Sequence, residues 1–300
     1  MPGTKEIRNH MESVRDTKKI TGAMYLIASA KQRTAKEELD KTRPYFNALR
    51  AEIKRVFRTV SDVRSVYFFP PDTEDIENGE YAVLVITADK GLAGAYNQNV
   101  IREAMRIVDT HDRTRLYVIG EYGRQYCMSH HIPFVESFRY TAREPTLHRA
   151  RKISRELLEA YTAGQIRKLF VVYTDLGGVG ASERALSTRL LPFHRRQFSD
   201  REEAPVGTPF EFLSSVESVL DAIIPSYVTG FIYSALVDSF CCEQSARMSA
   251  MRAANDNADE LLETLQKEYN HVRQAAITKE ITETAAGAKA QNERRTSSAD

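Results

Sequence analysis

A chain of 300 residues with 42 Lys plus Arg against 41 Asp plus Glu carries a formal charge of +1, which argues against a general nucleic-acid binder, and 28% charged residues is ordinary for a globular protein. No run of about 18 uncharged apolar residues occurs, so no transmembrane span is predicted, and an amphipathic helix starting at Lys5, Arg8 and Glu12 predicts no signal segment. Cys127, Cys241 and Cys242 make no disulfide framework, so reduced thiols in the cytosol are expected.

In chain order, the first element is a long heptad helix. From Ile7 the positions Met11, Val14, Lys18, Thr21, Tyr25, Ala28, Gln32, Ala35, Leu39, Thr42, Phe46, Leu49, Ile53 and Val56 follow in alternating steps of four and three, the register of a coiled coil. Lys18, Thr21 and Gln32 make this seam polar, which weakens pairing but fixes register. Pro44 predicts a bend, because its missing N–H and ring clash cost about 3 kcal/mol in a helix interior. Residues 1–69 are assigned to this N-terminal shaft helix. Residues 1–36 hold eight basic side chains (Lys5, Arg8, Arg15, Lys18, Lys19, Lys31, Arg33, Lys36) against Glu6, Glu12 and Asp16, a net of +5. Such a basic collar suits an acidic partner, with a solvated helix face as the plainer reading.

An acidic connector, residues 69–80, then leads into a central block at 81–198. Tyr81–Thr87 reads as a buried strand, with a turn at Asp89-Lys90-Gly91 and a helix from about Asn97 to Asp109. Leu116–Ile119 is a second strand, Gly120 opens a helix toward His130, and Ile132–Phe138 is predicted as a third strand. A helix over Leu147–Tyr161, a strand over Leu169–Tyr173 and an edge segment over Leu186–Phe193, possible in antiparallel sense, complete it. This alternation predicts a doubly wound α/β domain. Ser199–Pro209 marks its far boundary.

The heptad pattern returns at Val237, Cys241, Gln244, Met248, Met251, Asn255, Ala258, Leu262, Leu265, Tyr269, Val272 and Ala276, within a C-terminal shaft region at 212–288. At 1.5 Å per residue each helix would run roughly 80 to 90 Å, so most of it must project from the globular block. The expected closure is an antiparallel coiled coil between the two ends. Residues 289–300 are predicted to be a disordered tail.

Two glycine clusters raise a nucleotide-binding enzyme as an alternative. Gly91-Leu92-Ala93-Gly94-Ala95-Tyr96-Asn97 lies between strand and helix, where phosphate-cradling turns occur, but contains no G-x-G-x-x-G, and Lys90 stands before the glycines instead of after them. Asp175–Glu183, with Gly177, Gly178 and Gly180, lacks a partner lysine and reads as a surface loop. Cys127, His130 and His131 offer three potential metal ligands without a recognisable fourth. No catalytic set assembles. The prediction is a chain without catalytic, cofactor-binding or metal residues.

Ile20-Thr21-Gly22-Ala23-Met24, Ile86-Thr87-Ala88-Asp89-Lys90-Gly91-Leu92-Ala93-Gly94-Ala95-Tyr96-Asn97, Glu243-Gln244-Ser245-Ala246-Arg247-Met248 running on to Ala258, and Tyr269-Asn270 followed by Arg273–Glu283 resemble, in order, the gamma subunit of the F-type rotary ATP synthase. The resemblance implies a non-catalytic rotor: an antiparallel coiled coil inside a hexamer of alpha and beta subunits, with an α/β domain that joins the epsilon subunit and the c-ring. It implies a peripheral place on the cytoplasmic face of the bacterial inner membrane, and ion transport coupled to ATP synthesis on the beta subunits. Arg273, Gln274 and Thr278 match the family positions that meet beta-subunit loops, and Met24 matches the shaft methionine. The chain departs from the family pattern at Gly22, where lysine is usual, at Ala93, where cysteine is common, at Gly177–Gly180 and in its tail. It lacks the inserted cysteine pair of the chloroplast type. A paralogous rotary ATPase and a coiled-coil scaffold without a rotary role are the alternatives.

Overall fold

The computed structural model describes residues 3–59, 65–68, 79–111, 113–176, 184–193 and 215–297. Most of the acidic connector, the Gly177–Gly180 cluster and the 199–209 boundary lie outside the described residues. The elements run α1 (Thr4–Thr59), β1 (Tyr81–Ile86), α2 (Tyr96–Val108), β2 (Thr114–Ile119), α3 (Glu121–Ser129), α4 (Leu147–Thr162), β3 (Lys168–Asp175), β4 (Arg184–Leu191) and α5 (Val216–Ser297). The chain divides into two compact units, residues 1–27 with 249–300, and residues 28–248.

The first unit is an antiparallel helix pair. Ile7 and Met11 of α1 are buried with Leu265 of α5, and half-buried Val14, Leu262, Tyr269 and Val272 close over them. Further along α1 the partners on α5 carry lower numbers. Lys18 Nζ reaches Asp259 Oδ2 at 2.6 Å, and the Thr21 hydroxyl donates to the Asn255 amide oxygen. The polar seam residues therefore pair with each other, which pins register, while the Lys18–Asp259 ion pair is open to solvent and contributes at most about 1 kcal/mol. Past Val272 the stripe faces no other helix among the described residues, and every residue from Arg273 to Ala288 is exposed. Residues 298–300 of the expected disordered tail lie outside the described residues. Helix α5 continues through Ser297, as expected for a stretch rich in Ala, Lys, Gln, Glu and Arg, all strong helix formers.

In the second unit the same α1 stripe buries Ala28, Leu39, Ile53 and Val56, and α5 answers with Val237 and Cys241. Gln32 Nε2 donates to the Cys241 carbonyl at 3.2 Å and the Cys241 thiol returns a contact to the Gln32 carbonyl at 3.8 Å. Helix α1 passes Pro44 without interruption. The helices come close where Gly230 meets Phe46, because a Cβ at 230 would lie 2.0 Å from Phe46 Cδ1.

The sheet has the order β2-β1-β3-β4, with β1 parallel to β2 and β3, and β4 antiparallel to β3. Strand β1 is buried at every position, as a parallel strand covered on both faces must be. Ala82, Leu84 and Ile86 join a core with α1, α4 and α5, whereas Val83 and Val85 face α2 and α3. Helices on both faces make the block doubly wound. The predicted strand at Ile132–Phe138 is not formed. Pro133 has no N–H to give a ladder, and the segment instead lies along the edge of β2, with Val135 N donating to Leu116 O at 2.9 Å and Tyr140 bridging to Ile119.

One window of α5 is long and apolar enough to cross a membrane by length and composition, with mean hydropathy 1.4, but half of it is buried inside the protein. Leu220, Ile224, Val228 and Ile232, all fully buried, belong to the core that covers the sheet. Pro225 lies inside the helix and has no N–H to give the ladder. The Thr229 hydroxyl donates to the Pro225 carbonyl at 2.8 Å and lies 2.7 Å from Ser154 Oγ of α4, which ties this part of α5 to α4.

Candidate partner-contact surface

Doubly wound sheets hold ligands outside the carboxyl ends of their strands, where strand order reverses. In this sheet that point lies between β1 and β3. The turn that follows β1 is built by its own side chains. The Thr87 hydroxyl donates to Ile119 O at 2.8 Å and accepts from Gly123 N at 3.0 Å, while Asn97 Oδ1 accepts from Ala88 N at 2.9 Å. Gly120, at φ +94°, is obligatory beside it, since a Cβ would sit 2.3 Å from the Thr87 carbonyl oxygen. Asp89 accepts from Glu121 N at 3.1 Å, Ala142 N at 3.3 Å and Arg143 N at 3.2 Å, and also from the Thr141 hydroxyl.

Helix α5 fills the crevice. Ser239 Oγ accepts from Thr174 N at 3.2 Å and the Cys242 thiol approaches Thr174 O at 3.8 Å. Arg247 Nη1 meets Glu243 Oε1 at 2.6 Å, and Arg247 Nη2 donates to Gly91 O at 3.1 Å and reaches toward Lys90 O. The Tyr96 phenol hydrogen-bonds Ile86 O at 3.4 Å, and its deep burial, with the Glu243 charge close by, pushes its pKa far above the ordinary phenol range. Burial also raises the Glu243 carboxyl, while Arg247 opposes that rise. The carbonyls of Lys90 and Gly91, in the turn where a nucleotide-binding fold would cradle phosphate, accept from Arg247 of the same chain.

The Cys127, His130 and His131 group is not brought together. Cys127 packs into the core under α2, which raises its thiol pKa, whereas His130 stacks on the Tyr126 ring with centroids 3.9 Å apart at the exposed end of α3. Much of the basic collar is locally neutralised, since Arg8, Lys18, Lys19 and Arg33 each pair with an acid.

The four residues expected to meet partners lie in the first unit at two stations. Met24 is half-buried on α1, with Ile20 and Ile27 exposed one turn to either side. Arg273 and Gln274 are exposed on the part of α5 that has no facing helix, and the Thr278 hydroxyl donates to the Gln274 carbonyl at 2.9 Å on the same turn. Because Thr21 pairs with Asn255, the two stations are separated by roughly 30 Å along the helix. Sequence reasoning missed the roles of Asp89, Glu243 and Arg247. The signal available was an ionisable residue standing inside a run of small and apolar ones.

A family model described as ATP synthase matches residues 3–291. The ATP synthase gamma chain of Caldanaerobacter subterraneus subsp. tengcongensis is 37% identical over 295 residues, covering 95% of this chain and 99% of that protein. This chain belongs to the ATP synthase gamma-chain family. The gamma chain of Ruminiclostridium cellulolyticum is 34% identical over 291 residues, covering 95% and 98%. Among solved structures, a chain of the Euglena gracilis mitochondrial ATP synthase (OSCP/F1/c-ring, rotational state 3) aligns with TM-score 0.65 at 15% identity, covering 96% of this chain and 94% of that one. A chain from the rotor of the same enzyme in rotational state 1 aligns at TM-score 0.62, also at 15% identity, covering 91% and 98%. These likenesses establish a shared fold of paired terminal helices around a central sheet.

Proposed function

We propose that this gamma chain is the central rotor stalk of a proton- or sodium-translocating ATP synthase, a non-catalytic subunit that couples ion flow to conformational change at sites on the beta subunits. Its partners are the alpha and beta subunits, the epsilon subunit and the c-ring. The complex is membrane-associated, and this chain works from the cytoplasmic face of the bacterial inner membrane. The observation that carries the reading is the helical overhang from Arg273 to Ala288, exposed on all sides and including Ile277 and Ile281 at 46% and 63% exposure. An isolated helix of that length is marginal in water, so it gains from a surrounding sleeve. An asymmetric helix inside a pseudo-threefold sleeve makes different contacts with three otherwise equivalent subunits, and turning it changes their affinities in sequence.

Within this reading, Arg273, Gln274 and Thr278 contact beta-subunit loops at the distal station and Met24 does so at the proximal one. Arg273 offers a fork of donors to carboxylates, and Met24 a pliable apolar surface suited to sliding. Charge-assisted contacts of this kind contribute about 1.5 to 3 kcal/mol each in a partner interface and little on an exposed monomer surface. The test is the double variant Arg273→Ala with Gln274→Ala. Weakened assembly or ATP-driven pumping at unchanged melting of the free subunit is expected. Wild-type assembly and pumping would return these side chains to the status of solvated helix positions.

A further inference from the structure

The sheet and α5 meet through two kinds of contact with different mechanical properties. Leu220, Ile224, Val228, Ile232 and Leu236 adhere to the sheet through apolar burial, which is non-directional and opposes separation more than sliding. A turning stalk loads this joint tangentially. Resistance to sliding needs directional bonds whose geometry fails after a small displacement.

Such bonds converge at the mouth of the crevice. Arg247 and Glu243 lie one turn apart on α5 with their side chains only 11% and 8% exposed. The guanidinium divides its fork, giving Nη1 to Glu243 and Nη2 to the Gly91 and Lys90 carbonyls. The preceding residue, Asp89, is fastened in turn to Glu121 N at the start of α3 and to Ala142 N and Arg143 N. A continuous polar path thus runs from α5 across the carboxyl edge of the sheet to α3. Burial raises the Glu243 carboxyl, and the Arg247 charge and hydrogen bond oppose that rise.

We propose that Arg247 is a torque latch, a positioning residue whose buried, Glu243-anchored guanidinium grips the Lys90–Gly91 carbonyls and carries tangential load between α5 and the α/β domain. The proposal rests on the rotor reading above. It assigns to the turn after β1, placed where related architectures hold ligands, the task of receiving a side chain of the same protein.

The test uses the assembled complex in sealed vesicles, with ATP hydrolysis and ATP-driven ion pumping measured on one preparation and thermal melting measured on the free subunit. Glu243→Gln with Arg247→Gln removes both charges together, so no buried ion is stranded, but abolishes the divided fork. Arg247→Lys keeps the cation beside Glu243 and loses the planar geometry. The expected result is near-normal melting and hydrolysis with a loss of ions pumped per ATP in both variants. A role confined to folding would instead lower melting and leave that ratio intact in whatever complex assembles. Wild-type pumping per ATP in either variant would overturn the latch. Failure of the wild-type chain to join an alpha–beta hexamer would overturn the rotor reading itself.

Discussion

Replacing Asp238 with asparagine should stabilise the protein at neutral pH. Asp238 lies on α5 between Val237, buried in the helix seam, and Ser239, which caps Thr174 of β3. Burial raises its carboxyl from 3.8 to about 6; the neighbouring Asp175 charge adds to the rise and Arg43 of α1 opposes it. The native state therefore binds a proton more tightly than the unfolded chain does. Stability associated with this group is fully present below pH 4 and is lost as pH rises through about 6. A rise of roughly two pH units corresponds to about 3 kcal/mol at neutral pH, taken as an upper figure. Asparagine keeps the shape, cannot ionise and can donate to Asp175. Denaturant unfolding of the full chain at pH 4 and pH 7 should show the wild type losing stability between them by up to that amount. The variant should change less and exceed the wild type at pH 7. Equal pH slopes, or a variant weaker than the wild type at pH 7, would refute the burial argument.

Gly230→Ala should destabilise the second unit by about 1 to 3 kcal/mol, because the new methyl overlaps the Phe46 ring that already packs on Tyr45 and Tyr233; a lowered melting temperature checks it. Gly22→Ala should do the opposite. A Cβ at 22 meets nothing within 4 Å, so removing an interior helical glycine should add about 0.5 to 1 kcal/mol, read as a rise in denaturant midpoint at unchanged slope.

The helices were legible because a coiled-coil seam is a periodic signal. Every α1 position read from the heptad pattern is buried or half-buried except Tyr25, which at 37% exposure stands at the margin. The distal part of the C-terminal stripe was legible as a pattern but not as a contact. Ala276 continues the register of Val272, yet among the described residues it is exposed, with none of α1 packed on it. Local composition cannot report where a partner helix ends. The strand predicted at Ile132–Phe138 failed for a related reason. Its apolar residues do meet β2, but one hydrogen bond from Val135 and a bridge at Tyr140 leave it an edge covering instead of a strand.

The turn after β1 was the hardest stretch to interpret from residues alone, and the reason is physical. A glycine-containing turn between a parallel strand and a helix has the same local requirements whether its mouth receives a phosphate or a side chain. The absent G-x-G-x-x-G weighed against a phosphate but did not say what takes its place. The answer lies about 150 residues further along the chain, in Ser239, Glu243 and Arg247, separated by four residues each and therefore presented along one face of α5. That spacing of four places Glu243 and Arg247 together, and Arg247 reaches the turn whose neighbouring Asp89 is already fastened. On that argument the α/β domain keeps the architecture of a binding fold, and the proposed latch occupies the position where doubly wound sheets hold ligands.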